Sequence, residues 1–328
     1  MKKSESLLAL ASPASLKGVL SASEAAMLLA SGLRRVDGVD AVELPVADGG
    51  EGTAEALHRA LGGEWRTAAV SDPLGRPVAA RFLLLPDGTA VVDVAEAIGL
   101  PLLAPAERDP LHASSRGLGE LLLAILAAQP RALLVGVGGT ATVDGGIGMR
   151  TVVGSWLRDL PIRVACDVRN PLLGERGAAR VFGPQKGADE AMVEELEARL
   201  AALPELAPYA ELPGTGAGGG LGAAFAALGG ELCDGAALVL DAIGFDEHAR
   251  EADLVVTGEG TVDATTLEGK APGAVVRRCR ELGVRCELFG GLVRDGIEAH
   301  ALSGRRALAG EDVVHLGEEL GRSLVEGS

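Results

Sequence analysis

Only five of the chain's 30 basic residues are lysines, and their neighbours point to anion chemistry. Lys2 and Lys3 lie in the N-terminal tail, while Lys17, Lys186 and Lys270 each adjoin a glycine. A compact ammonium beside flexible backbone suits a phosphate group, and the broader guanidinium cannot always replace it. The single asparagine, Asn170, lies in the run ACDVRNP at 165–171. Five glycine-rich or acidic stretches, 47–52, 136–148, 167–174, 214–222 and 257–263, carry Asp48, Asp144, Asp167, Glu259 and Asp263. Glycines let backbone amides approach a phosphate. Hard carboxylate oxygens can hold Mg²⁺ or orient and deprotonate a hydroxyl. Each stretch alone reads as a tight turn, and each Asp equally as a cap. Five together favour one polar reaction centre handling phosphate.

The elements that must position these residues follow from periodicity. An apolar strand is expected at 6–11. Ser21-Ala22-Ser23-Glu24 forms a capping box that opens a helix to 33. A strand at 42–46 runs through the first acidic loop into a helix at 53–61. Residues 65–95 alternate in polarity around Asp72-Pro73-Leu74-Gly75 and Pro86-Asp87-Gly88, which suggests an inserted, more antiparallel region. Helices are expected at 115–128 and 189–200, and from about 221 after a Pro/Gly-rich stretch. Strands are expected at 132–136, 162–166, 253–257 and 284–289, with helices at 271–280 and 317–325. Strand–loop–helix alternation is the pattern of a parallel α/β sheet. Ligands of such sheets sit beyond the carboxyl ends of the strands.

Composition narrows the partners. At 328 residues the chain suits two domains, and eight aromatics in a 48% hydrophobic chain call for an aliphatic core. A net charge of −16 argues against nucleic acid and anionic membranes. An anionic substrate must then be captured by local cations or a metal. The four cysteines form no CxxC pair and the five histidines no zinc spacing. Reduced cysteines and a cytoplasmic location are expected. The apolar stretch at 7–11 is too short for a signal peptide, and no run has membrane-spanning length.

Nucleotide motifs are weak individually. No GxxxxGK[ST] occurs. Gly136 to Ala141 reads GxGxxA after a strand, without an acidic residue at the dinucleotide-binding distance; Gly214 to Gly219 reads GxGxxG after prolines rather than a strand. A nicotinamide-dependent oxidoreductase is the alternative these motifs leave open.

Segments at 17–22, 45–53 (PVADGGEGT), 109–121, 136–149 (GVGGTATVDGGIGM), 164–188 (VACDVRNPLLGERGAARVFGPQKGA), 216–224 and 253–272 (DLVVTGEGTVDATTLEGKAP) resemble, in order, those of the bacterial glycerate kinases of glyoxylate and galactarate pathways. The resemblance implies ATP- and Mg²⁺-dependent phosphorylation of D-glycerate, giving 2-phosphoglycerate, with 3-phosphoglycerate as the alternative product. It implies an α/β fold of two domains: a Rossmann-like parallel sheet from 1–66 and 251–328, and an inserted mixed-sheet domain at 67–250, with the site in the cleft between them. A monomer or homodimer is expected. Lys17, Asp48, Asp144, Asp167 and Lys186 are the catalytic candidates, with Asp48 and Asp144 as base or metal ligand. Ser15, Arg116, Gly138, Gly139, Asn170, Gly216, Gly218, Gly219 and Lys270 are candidates for substrate or phosphate, and Glu259 and Asp263 for Mg²⁺.

Four departures stand out. Ala14 replaces an Asp of the family's first strand end, and Val143 replaces an Asn before Asp144. The segment between 149 and 162 is short, and the turn at 289–292 is altered. Ala14 and Val143 motivate a third reading, a non-catalytic glycerate-binding paralogue.

Overall fold

The structure is a computed structural model that describes residues 6–157, 159–267, 269–294 and 296–327, so Lys2 and Lys3 lie outside the described residues. The chain divides into two compact units. The first comprises Met1–Asp48, Glu55–Ala60 and Ala236–Ser328, and the second Gly49–Ala54 and Leu61–Gly235. Among the described residues no helix is long and apolar enough to cross a membrane.

The first unit is built on a five-stranded parallel sheet. In chain order its strands are β1 (Leu7–Ala11), β2 (Val39–Glu43), β9 (Leu254–Val262), β10 (Cys286–Val293) and β11 (His300–Ala301), arranged β11-β10-β9-β1-β2. Both ends of the chain therefore supply one sheet, as expected. Apolar runs suit strands covered on both faces, and Leu10, Val255 and Val256 are almost wholly buried. Helix Ala22–Leu33 starts at the foreseen capping box, with the Ser21 hydroxyl accepting from Glu24 N–H and the Glu24 carboxylate from Ser21 N–H. Leu29 and Leu33 of this helix join Val313, Leu316 and Leu320 in the core.

The second unit carries β3 (Glu64–Ser71), β4 (Pro77–Leu84), β5 (Thr89–Asp93), β6 (Ala132–Gly136), β7 (Ile162–Cys166) and β8 (Glu231–Asp234), ordered consecutively in one sheet. β3, β4 and β5 pair antiparallel, and β5 to β8 parallel. The antiparallel part is the region of alternating polarity. Its first turn is pinned by the Asp72 carboxylate, which accepts from the N–H groups of Leu74 and Arg76. All of β5 is buried, which places the carboxyl group of Asp93 inside the protein at the end of a parallel strand.

Three expectations about elements need correction. The strand expected at 42–46 lies at Val39–Glu43, where it pairs with β1. The stretch 257–263 is not a loop, because β9 continues to Val262 in register with β10, with Thr261 opposite Leu292. Gly258 belongs there for packing: a Cβ on it would lie 2.4 Å from the Phe289 ring. The last helix is not confined to 317–325 but spans Ala309–Glu326. Its glycines weaken the helical signal, yet they let it meet helix Ala22–Leu33 backbone to backbone. A Cβ on Gly317 would fall 2.5 Å from Leu29 O.

Candidate functional site

Four of the five stretches singled out in the sequence converge within the second unit. A Cβ on Gly138 would fall 2.6 Å from Gly50 Cα, and one on Gly49 2.6 Å from the carbonyl carbon of Ala165. The stretch at 214–222 closes on the same place. Gly145 N–H donates to Gly219 O at 3.0 Å, Gly216 N–H to Asn170 O at 2.9 Å, and a Cβ on Gly219 would lie 2.0 Å from Thr142 O. Gly218, Gly219 and Gly220 are consecutive left-handed residues at φ 61°, 72° and 96°, and the regular helix starts only after them. This conformation is open to glycine at little cost. The result is a set of loops that touch through backbone.

Side chains below the loops hold them in place. Asp144 accepts four hydrogen bonds. Its Oδ2 takes Ser115 N–H at 2.8 Å, Ser115 Oγ–H at 2.8 Å and Gly148 N–H at 3.2 Å, while Oδ1 takes Gly146 N–H at 3.0 Å. Ser115 Oγ in turn accepts from Met149 N–H. The pair thereby ties the start of helix Arg116–Ala127 to the start of helix Ile147–Val153. Arg116 itself is exposed, and its Nε donates to Glu120. Lys186 is 4% exposed. Its Nζ donates to Thr140 Oγ1 at 2.9 Å and Thr142 O at 2.8 Å. Burial pushes its ammonium down to about 7, while Asp144 acts in the opposite direction. Two of its three donors are thus spent on the loop.

The depressed Lys186 value has a measurable sign. Between about pH 7 and 10.5 the unfolded chain holds a proton that the native side chain has released, so stability gains with pH across that window. Lys186→Met should lose this gain. The difference in unfolding free energy between wild type and variant is expected to move in favour of wild type from pH 7 to pH 10 in urea titrations. Parallel curves would mean an ammonium that stays charged throughout.

Other predicted residues fall into place around this set. Asn170 Nδ2 donates to Arg176 O at 2.7 Å, bracing the 171–176 turn. Asp167 is exposed after β7, and Asp48 is half-buried ahead of Gly49. Val143 is 1% exposed among Leu172, Leu196 and Leu200, so the missing amide of the family pattern is replaced by core packing. The GxGxxA stretch does not run from strand into helix: Ala141 N–H pairs with Ile98 O, and helix Ile147–Val153 starts only later. It is therefore not a dinucleotide-binding turn.

In the first unit, Gly260 of β9 lies against the backbone of Leu16 and Lys17, where a Cβ would be 3.3 Å from Lys17 N. The Lys17 side chain is exposed and Ser15 is half-buried. Glu259 accepts from Thr266 Oγ1 at 2.6 Å and from Lys270 Nζ at 3.3 Å. Asp263 accepts from Thr265 N–H and Oγ1–H. The Thr265 hydroxyl, with help from Lys270, holds its carboxyl below the usual carboxylate range. Among the described residues no three His, Cys, Asp or Glu side chains gather as a metal cage. Mg²⁺ needs only one or two protein carboxylates when phosphates and water complete its shell. Glu259 and Asp263 supply hard carboxylate oxygens, the donor type such an ion takes, with Glu259 also held by Lys270 and Thr266.

Sequence reasoning missed Asp93, Ser115, Thr140 and Thr142. Asp93 carried a signal: it is the one charged residue in TAVVD, a run otherwise suited to burial. Its carboxylate takes Gly52 N–H at 2.9 Å and Ala54 N–H at 3.2 Å.

The glycerate kinase family model matches residues 9–159 and 151–311. A glycerate 2-kinase of Escherichia coli (strain K12) is 42% identical over 299 residues, covering 79% of this chain and 78% of that protein. A glycerate kinase of Bacillus subtilis (strain 168) is 39% identical over 311 residues, covering 83% and 81%. A crystal structure of a protein described as a glycerate kinase 2 from Salmonella typhimurium LT2 superposes with a TM-score of 0.84 at 34% identity, covering 98% of this chain and 99% of that one. With its α/β architecture, its converging glycine loops and these matches along most of its length, the chain belongs to the glycerate kinase family.

Proposed function

We propose that this protein transfers the γ-phosphoryl group of ATP to the 2-hydroxyl of D-glycerate, with Mg²⁺, in the cytoplasm. The observation that carries the reading is the contact of the Gly49–Gly50 and Gly136–Gly139 loops. It brings the backbones of two glycine loops, one after β2 and one after β6, into contact in a chain similar to a glycerate 2-kinase. Phosphoryl transfer asks chiefly for positioning and charge neutralisation. Backbone at Gly138, Gly139, Gly216, Gly218 and Gly219 serves the phosphates. Lys17 and Lys270 supply positive charge, and Ser15 and Arg116 bind the glycerate carboxylate. Asp48 takes the proton from the attacking hydroxyl, with Asp167 as the next candidate. Glu259 and Asp263 would hold Mg²⁺, which would neutralise charge on the phosphates. Asp144, Lys186 and Asn170 keep the loops in shape.

The test is ADP release from ATP with and without D-glycerate and Mg²⁺, followed by ³¹P NMR of the product. ADP formation requiring both additions, with a 2-phosphoglycerate signal, is expected. A folded protein, by circular dichroism, that shows no glycerate-dependent release would defeat the reading. A 3-phosphoglycerate signal would move the attacking oxygen.

A further inference from the structure

We propose that Asp93 is a positioning residue for phosphoryl transfer, acting as a two-point clamp that fixes the 49–54 loop against the 136–141 loop; the inference rests on the kinase reading. Three observations support it. First, the carboxylate grips the loop at two places. Oδ2 accepts Gly52 N–H at 2.9 Å and Oδ1 accepts Ala54 N–H at 3.2 Å. The same short stretch is also closed by Thr53 Oγ1 donating to Gly50 O. Second, the chain just after Asp93 holds the opposing loop. Val94 N–H donates to Gly136 O, Leu100 N–H to Gly139 O, and Ala141 N–H to Ile98 O. Third, the site is shaped to admit the carboxylate. A Cβ on Gly136 would lie 3.0 Å from Asp93 Oδ1 and 2.8 Å from Gly49 O. One residue therefore links both loops that meet at Gly50 and Gly138.

A neutral Ser or Asn would cap the first turn of helix Thr53–Leu61 without burying a charge. The carboxylate is 6% exposed. Burial pushes it up to about 7, the amides of Gly52 and Ala54 oppose that rise, and the charges of Glu96 and Glu51 add to it. The ionised form accepts from both amides at once. Protonation withdraws one lone pair, so the clamp should loosen as pH falls through about 7.

Asp93→Asn removes one acceptor oxygen and the titration together. The expected result is a loss of kcat of at least tenfold with a smaller change in KM for glycerate. The wild-type rise of kcat between pH 6 and 8 should be flattened in the variant. In ¹H–¹⁵N spectra of the wild-type protein without substrate, the Gly52 and Ala54 amides should shift together with a midpoint near pH 7. Either stationary amides from pH 5.5 to 8.5, or a variant with kcat within twofold and an unchanged pH profile, overturns the clamp. The amide titration needs neither turnover nor a folded variant. A wild-type enzyme without glycerate-dependent ADP release would defeat the kinase reading and the catalytic purpose of Asp93 with it, and the spectra would then decide whether the physical clamp exists.

Discussion

Asp48→Asn is expected to lower kcat ~10²-fold or more, the usual scale for a general base, with melting temperature nearly unchanged. Asp144→Asn is expected to lower melting temperature and activity together. The two residues are alike in the sequence, each an Asp before Gly-Gly, and the structure separates them. Asp144 spends both oxygens on Ser115, Gly146 and Gly148, drawing together the starts of two helices. An Asn there has one acceptor oxygen and must present NH₂ to a donor on one side. An unsatisfied buried donor costs about 1–3 kcal/mol, and a packed loop displaced by this change would lose activity as a consequence. Asp48 stands half-buried at the entry to the Gly49–Ala54 stretch, apart from this helix-to-helix tie. Steady-state kinetics and thermal denaturation of the two variants, run side by side, decide the matter. An Asp48→Asn enzyme within tenfold of wild type would transfer the base to Asp167. An Asp144→Asn enzyme with normal melting and a large fall in kcat would return the base to Asp144.

The second large effect is expected at Gly219. Gly219→Ala places a Cβ 2.0 Å from Thr142 O at a residue with φ +72°. Left-handed strain costs about 1–2 kcal/mol, and forced overpacking about 1–3 kcal/mol more. Separation of the 214–222 and 140–146 loops should abolish turnover as well. Gly229→Ala is the control, since it has φ +89° and nothing within 4 Å of the added Cβ; it bears only the conformational cost. Equal unfolding free energies for the two variants, measured in urea, would show that the loops separate without penalty.

Much of this architecture was legible because local signals agreed with the global fold. The capping box at Ser21, the apolar runs of β1 and β6 and the turn at Asp72 each specify their own geometry. The loops at 47–52, 136–148 and 214–222 were visible as glycine clusters and that at 167–174 by its Asp and Asn, and they do meet. What stayed hidden depended on partners distant in sequence. The extension of β9 to Val262 follows from pairing with β10, and Gly258 makes room for Phe289 while Gly260 lies against Leu16 and Lys17. The start of the last helix was masked because its glycines serve contact with helix Ala22–Leu33. Lys186 looked like a phosphate ligand for its rarity, but its ammonium faces Thr140 and Thr142, more than forty residues away. Asp93 showed only as the one charge in a run suited to burial, which does not say what it binds. Its meaning appears only when Gly52 and Ala54 fold back onto it.

The split origin of the first sheet sets an order for biosynthesis. β1 lies between β2 and β9, and the Thr257 hydroxyl donates to Ser12 O across 245 residues of sequence. At about 5–20 residues per second, a nascent chain therefore carries β1 for roughly 12–50 s before its second neighbour exists. During that interval the strand Leu-Leu-Ala-Leu-Ala at Leu7–Ala11 has an apolar surface and an unpaired edge. The stretch Leu61–Gly235 meanwhile holds every strand of its own sheet and can close as soon as it leaves the ribosome. The sheet with split ends is thus the late and aggregation-exposed step of folding. Holdase chaperones and low growth temperature should raise the soluble yield through the first residues of the chain.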